Sequence, residues 1–383
     1  MPKEKNLHQN KNFSPNQLAW RKFIQNKVSV LALCIILLFA LIAILGPLIR
    51  QDSSPKANDQ HLELARKKPG FSVKMLLLPQ SIQQENSGFF QTFLFGKQSQ
   101  FKQLAIDDYE IRQDTIMVEK YTGSQPNDGE IVGFPINLWK DAGDTFQLEE
   151  HLKSKTYLLG TDRFGRDLLS RLMAGTWISF TVGIISILIS LLIGITLGML
   201  AAFYKGKVDD LIVWLINVVW SIPTLLLVIA ITLVLGKGFW QVFVAVGLTM
   251  WVEVARVVRG QVLGVREMEY VEAGKSLGFK DWRIMRKHIL PNITAPIIVI
   301  SASNFAAAIL IEAGLSFLGL GAQPPQATWG KMISEHKGYI ITGDAYLAIF
   351  PGIAICLLVL SFVLLGNGLR DAFDTKGVKS LNL

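Results

Sequence analysis

Long uninterrupted apolar runs dominate the chain. Residues 28–49 form a run of about 22 apolar residues, enough as a helix to cross a bilayer core of roughly 30 Å. Further runs follow at 177–204, 211–235, 239–258, 292–314 and 346–365. Where water cannot satisfy the backbone, such runs fold as helices. A cleaved signal peptide does not fit the first run, because its apolar part would span about 7 to 15 residues and end at a small-x-small site. The fold class that follows is an all-α polytopic membrane protein with six transmembrane helices.

Composition agrees with a membrane protein that has a sizeable polar part: 50% of residues are hydrophobic and 18% charged. The net charge of +8 is not a nucleic-acid signature. The Lys and Arg residues gather at the ends of apolar runs and in one long polar stretch, as membrane topology requires. Cys34 and Cys356 each lie inside an apolar run, and His8, His61, His151, His288 and His336 are scattered singly. No disulfide or metal site is expected from them, and the histidines read as surface or packing residues. There is no His-Glu-x-x-His. Gly160 and Gly165 stand at the spacing of a phosphate loop, but Arg166-Asp167 replaces the Lys-Ser/Thr that would bind nucleotide and magnesium.

In order, residues 1–27 are polar and basic, with Trp20 and Phe23 where an interfacial helix places aromatics. Residues 51–155 have no spanning segment and carry a polar cluster at 83–87. Two alternating runs there, 114–121 and 130–138, read as strands, so a small β-containing extracytoplasmic domain is expected. Residues 158–171 then read as a polar outer-surface helix, with Asp162 and Asp167 each four residues before an arginine.

Gly194, Gly198 and Ala202 make a small face for close helix packing, and Lys205 with Lys207 mark an inner end. Asp209 and Asp210 open the next span at the positive end of its dipole, Pro223 should kink it, and Lys237-Gly238 should turn the chain outside. Glu253 and Arg256 can pair at a spacing of three, Asn292 should cap the fifth span, and Glu312 is a carboxylate near that span's outer end. The Gly and Pro density of residues 315–345 excludes a continuous helix.

Between the fourth and fifth spans lies a basic amphipathic loop, residues 261–292. Its positive charge places it in the cytoplasm, together with both termini. Tyr270, Glu272, Ala273 and Gly274 begin one helical pattern, Gly278 ends it, and residues 280–288 make a second. Ala273 and Gly274 keep one face low, while Leu277 and Phe279 leave apolar side chains at the turn. Two short helices of this kind form a knob suited to another protein's groove.

The loop resembles the EAA loop of ABC-importer permeases: Glu272-Ala273, Gly278, then Leu290-Pro291 at the family's fixed distances, with Gly274 and His288 as departures. Two further blocks are similar to the oligopeptide and dipeptide branch. One is Gly160-Thr161-Asp162, Gly165-Arg166-Asp167 and Ser170-Arg171. The other runs from Glu312 through Gly319, Gly321, Pro324 and Pro325 to Trp329-Gly330. Asn367 and Thr375 depart from the family's Asp and Pro. The resemblance covers residues 1–50 and 156–374 and leaves 51–155 as an insert and 375–383 as a cytoplasmic tail.

It implies a multi-pass permease subunit of the bacterial cytoplasmic membrane that carries peptides, embedded in membrane lipid and binding no cofactor itself. ATP and Mg would act on two partner ATP-binding subunits, beside a second permease of similar fold and an extracytoplasmic substrate-binding protein. No nucleic acid partner is implied. The same scaffold carrying nickel or another small solute, and a membrane-anchored receptor or adhesion protein built around the insert, are the alternatives.

Overall fold

The computed structural model describes residues 15–79, 101–123, 128–139, 148–236 and 238–374. The polar cluster at 83–87, Lys237 and the tail at 375–383 lie outside them. A short helix α1 (Pro15–Gln25) turns at Asn26, whose side chain accepts from the Ser29 amide, into α2 (Lys27–Ile49). The chain then builds a sheet from β1 (Phe71–Pro79), β2 (Phe101–Arg112), β3 (Thr115–Lys120), β4 (Ile131–Pro135) and, after the single turn α3 (Leu148–His151), β5 (Leu152–Tyr157).

The sheet is antiparallel throughout, in the order β4-β3-β2-β1-β5. The two alternating runs of the sequence fall on β3 and β4. β1 and β2 escape that pattern for a physical reason. Met75 and Leu76, like Ala105 and Ile106, are consecutive and all buried, one of each pair in each of two small cores on opposite faces. A strand covered on both faces loses its alternation.

The helical part follows as α4 (Leu168–Tyr204), α5 (Gly206–Trp220), α6 (Thr224–Leu235), α7 (Phe239–Val265), α8 (Glu269–Ser276), α9 (Asp281–Ile284), α10 (Thr294–Phe317), α11 (Trp329–His336) and α12 (Tyr346–Phe373). Among the described residues five helices, counting residues 281–317 as one, are long and apolar enough to cross a membrane. The bent pair α5 and α6 makes six if taken as one span.

The kink expected at Pro223 is a 90° break. Proline has no N–H to continue the ladder, so α5 stops at Trp220 and α6 restarts at Thr224. Asn292 does not cap the fifth span. Its amide donates to the His288 carbonyl at 2.7 Å, and α10 begins at Thr294 without a side-chain cap. Upstream, Met285–Ile289 takes a wide π-turn and Leu290–Ile293 a tight 3-10 turn around Pro291. The loop at 315–345 is not a continuous helix; α10 reaches Phe317 and the separate helix α11 begins at Trp329.

α4 and α7 run side by side in the same direction, with Ser186 Oγ donating to the Phe243 carbonyl at 3.1 Å. The small face does the work assigned to it. A Cβ on Gly194 would lie 2.6 Å from Val254 Cβ, and one on Gly198 would lie 2.5 Å from the Ala255 carbonyl oxygen. Phe305 and Phe362 stack at 4.0 Å to join α10 to α12. Lys22 Nζ donates to the Asp374 carbonyl at 2.9 Å, so α1 lies beside the end of α12. Both described chain ends and residues 266–293 therefore share one end of the bundle, and the sheet lies at the other.

Candidate functional site

At the end away from the sheet, residues 266–293 form a knob. Gly278, at φ +74°, ends α8 in the left-handed conformation that a Cβ disfavours. Val271, Ile284, Met285, Ile289 and Ile293 are buried in one cluster with Met199, Ala202 and Phe203 of α4 and Val254, Val258 and Val262 of α7. Each of the five loop side chains, Val271, Ile284, Met285, Ile289 and Ile293, contributes about 1.5–3 kcal/mol by leaving water, so the knob is seated on two spans. Arg266 adds a polar tie. Its Nη1 donates to the Ala202 and Phe203 carbonyls at 3.0 and 2.5 Å, which the last turn of α4 otherwise leaves unpaired.

Of the sequence-designated residues here, Gly274 is buried against Phe279 and Ile284, Leu290 is half-buried, and Tyr270, Ala273 and Pro291 are exposed. Glu272 is exposed and does not cap its helix: α8 starts at Glu269 behind the N-cap residue Met268, with no side-chain cap bond. Leu277 stands 71% exposed. Phe279 turns inward instead, stacked on His288 at 5.9 Å with the Arg283 guanidinium 4.0 Å over its ring. The outward apolar positions missed in the sequence are Trp282, 65% exposed, and Met268. No local pattern separates them from Ile284 and Met285 of the same loop, which are buried.

At the opposite end, residues 160–167 are not a surface helix but a buried turn closed by a bridge between Thr161 and Asp167, and only residues 168–171 are helical, as the first turn of α4. The cause is Gly165, at φ +71°, whose Cβ would fall 1.6 Å from the His61 carbonyl oxygen. Asp162 is fully buried. Its Oδ1 accepts from the Phe164 and Arg166 amides at 2.8 and 3.0 Å, and its Oδ2 accepts from Arg166 Nε at 2.6 Å. Arg171 does not pair with Asp167; its Nε lies 3.6 Å from Asp162 Oδ2. Asp167 instead caps α4, accepting from the Ser170 amide at 2.9 Å and from the Ser170 hydroxyl. Ser170 Oγ accepts from the Asp52 amide at 3.0 Å, and Thr161 Oγ1 from the Lys67 amide at 2.8 Å. The Gly160 amide donates to the Tyr157 carbonyl at 3.0 Å, joining this turn to β5.

The third block meets this one. Arg166 Nη2 lies 3.7 Å and Arg163 Nη2 3.6 Å from the Glu335 carboxylate of α11. Fully buried Trp329 donates to the Leu172 carbonyl at 2.9 Å, and Gly330 rests against the Ala313 carbonyl. Glu312 is buried and accepts from Ser316 Oγ at 2.6 Å. Gly319 and Gly321 form the turn, and Pro324 and Pro325 are exposed. The two outer blocks are thus one assembly, while the knob lies at the far end of α4, whose 37 residues span about 55 Å.

His61 extends the network. Its Nε2 is 3.1 Å from Asp59 and its Nδ1 3.6 Å from Glu63. Burial opposes its charge, but these two carboxylates outweigh burial and hold its pKa up at about 9. Among the described residues no group of three His, Cys, Asp or Glu side chains is placed to hold a metal ion. The expected ion pair between Glu253 and Arg256 does not form; the Arg256 guanidinium lies 3.4 Å over the Trp220 ring.

Residues 194–377 match the family described as binding-protein-dependent transport system inner membrane component. Residues 14–69 match the N-terminal transmembrane domain of oligopeptide transport permease C. The second match carries the resemblance past residue 50 through the connector that packs on Thr161. Over 223 residues the chain is 43% identical to the glutathione transport system permease protein GsiD of Pectobacterium atrosepticum, covering 58% of this chain and 74% of that one. It is 42% identical over 223 residues to the dipeptide transport system permease protein DppC of Bacillus subtilis, covering 58% and 70%. Among solved structures, an inward-facing form of the MetNI methionine ABC transporter aligns with a TM-score of 0.45 at 18% identity, over 54% of this chain and 97% of that chain.

Replacing Asp162 by Asn removes the closest counter-charge of buried Arg166 and Arg171 and leaves only the longer contact of Arg166 with Glu335. A loss of about 3–5 kcal/mol is expected, read as a lowered melting temperature of the detergent-purified chain. The His61 group gives a pH dependence. Its folded pKa lies above the ordinary value, so its stabilisation is full below about pH 6.5 and is lost as pH rises through about 9. Asp59 and Glu63 are depressed by His61, Asp59 against the opposing effect of its own burial. Their stabilisation is present above roughly pH 4 and is lost on acidification. Melting curves of the wild type should fall between pH 7 and 10, and those of His61→Gln should lose that alkaline slope.

Proposed function

The chain belongs to the binding-protein-dependent transport system inner membrane component family, as a permease subunit of an ABC importer, and from that premise we propose that it forms half of a translocation path for peptides. It is a transport component rather than an enzyme, a multi-pass protein of the inner membrane, and works with other permease, ATPase and binding-protein components. Peptide as cargo is supported by the names of the relatives, which carry glutathione and dipeptides. It is supported also by the oligopeptide family that residues 14–69 match.

The knob end carries Arg21, Lys22, Arg266, Lys280, Arg283, Arg286 and Lys287, a basic set that supports, by the positive-inside rule, a cytoplasmic location for it and for both termini. There two ATP-binding subunits, using ATP and Mg, would sit under this chain and a second permease of similar fold. The extracytoplasmic binding protein would meet the sheet end.

The observation that carries coupling is the knob: Met268, Tyr270, Leu277 and Trp282 are exposed on a base fixed to two spans. An exposed apolar patch on a rigid support marks a docking surface. Closure of the ATPase pair would push the knob, and its buried seat would pass that motion to α4 and α7 together. Exposed Glu272 would add a hydrogen bond to the partner.

The test is uptake of labelled di-, tri- and pentapeptides, with nickel as a separate substrate, in cells with and without the gene. Cells carrying Leu277→Asp with Trp282→Asp form the third arm. Loss of peptide uptake is expected in the deletion and in the double variant. Normal uptake by the double variant would overturn the docking role, and loss for nickel alone would overturn the peptide assignment.

A further inference from the structure

The unformed ion pair leaves a question of charge. Glu253 lies on α7 about 9 Å from Arg259 and about 20 Å from Trp240, at a 1.5 Å rise per residue. Arg259 is held by Asp209 at 2.6 and 2.7 Å near the cytoplasmic end, so Glu253 falls within the cytoplasmic half of the span. It is exposed, and among the described residues it makes no hydrogen bond and no ion pair. Arg256, one turn away, is held over Trp220 instead. A bare carboxylate at this depth is costly, and a stabilising role would have paired it.

Glu253 lines a cavity of about 140 Å³ at the 90° break between α5 and α6. Trp220, Ile222 and Ile311 give this cavity apolar walls, Thr224 and Thr249 give it hydroxyls, and Glu253 is the one charged residue in its lining. Thr249 already donates to the Val246 carbonyl at 2.9 Å, which leaves the carboxylate as the strongest group facing the space. At the break the chain leaves its helical ladder, a feature that membrane proteins tolerate where backbone lines a path rather than lipid.

We propose that Glu253 is a substrate-binding residue of the translocation path, receiving a primary ammonium of the passing peptide in the cavity at the α5–α6 break. This rests on the peptide reading given above. A free peptide offers an ammonium at its amino terminus, and a lysine side chain offers the same group. The carboxylate accepts hydrogen bonds from it, the apolar walls receive the adjoining side chain, and the hydroxyls accept further N–H groups. The competing account is structural: Glu253 offsets the positive end of α6, whose first residue, Thr224, shares the cavity.

The experiment uses the complete importer in proteoliposomes and reads peptide moved per ATP hydrolysed. With Ala-Ala-Ala as cargo, Glu253→Gln should lower this ratio about ten-fold while ATP turnover continues, as loss of one charge-assisted bond implies. Glu253→Asp should restore it. A structural role predicts instead that ATP turnover and uptake fall together with the ratio unchanged, which would overturn the proposal. Wild-type uptake of N-acetyl-Ala-Lys-Ala as efficient as that of Ala-Ala-Ala, and equally sensitive to Glu253→Gln, would identify the side-chain ammonium as sufficient. Failure of that cargo alone would assign the amino terminus. If the wild-type complex hydrolyses ATP but moves no peptide, the peptide reading fails and this proposal with it. If wild type and Glu253→Gln carry Ala-Ala-Ala equally well, only the proposal fails.

Discussion

One carboxylate, that of Asp162, holds the sheet end of the molecule together. It has no solvent contact, yet it meets two backbone amides and the guanidinium of Arg166, with Arg171 at 3.6 Å. Buried charges survive only when their hydrogen-bonding capacity is filled. Filling it here brings three parts of the chain to one point: the start of α4, the connector from Asp52 to Lys67 through Asn58 and Ala57, and α11 through Glu335. Phe164 and Gly165 close the turn on His61, and the Thr161 hydroxyl closes it on Lys67. The sheet is thereby mounted on the bundle rather than tethered to it, with Tyr346 reaching the Lys67 carbonyl at 2.8 Å from the start of α12.

From that fixed end the geometry runs along α4 to the knob. α4 is locked to α7 by glycines whose approach is too close for any side chain, and the knob's apolar seat is built on the far ends of the same two helices. A push on the knob therefore acts on a stiff pair. The compliant element stands beside it: α5 and α6 meet at 90°, and only Ile212 and Ile216 of α5, and Val228 and Thr232 of α6, are buried. A stiff pair next to a loosely held broken span is an arrangement in which rigid-body motion alters a path at the break, where Glu253 lies.

The helical fold was readable because apolar length and helix breakers are local signals. The six runs, the break at Pro223 and the turn at Gly278 all come from single residues or continuous stretches. The sheet was readable only where strands alternate, on β3 and β4, while the two-sided burial of Met75 and Leu76 hid β1. The largest difference concerns residues 160–167. Two Asp-to-Arg spacings of four suggest a polar helix, but the side chains bond across more than 90 residues of sequence, and Gly165 is shaped by a backbone oxygen that no local pattern reveals. The ion pair of Glu253 with Arg256 failed for a similar reason, because a non-local ring, Trp220, attracts the arginine. On the knob, position in the loop was legible, but which apolar residue faces outward depended on Phe279 folding back onto His288.

Coupling as proposed requires that the end bearing the knob meets the ATPase subunits. Site-directed cross-linking tests it directly, in a background where the exposed Cys34 and Cys356 are replaced by serine. Single cysteines at position 277 on the knob and position 131 on the exposed edge strand β4 would be compared in membranes holding the whole importer. With the knob docked on the ATPase pair, Leu277→Cys cross-links to an ATP-binding subunit and Ile131→Cys does not. Cross-linking of position 131 to that subunit, with position 277 unreactive toward it, would contradict both the orientation and the coupling.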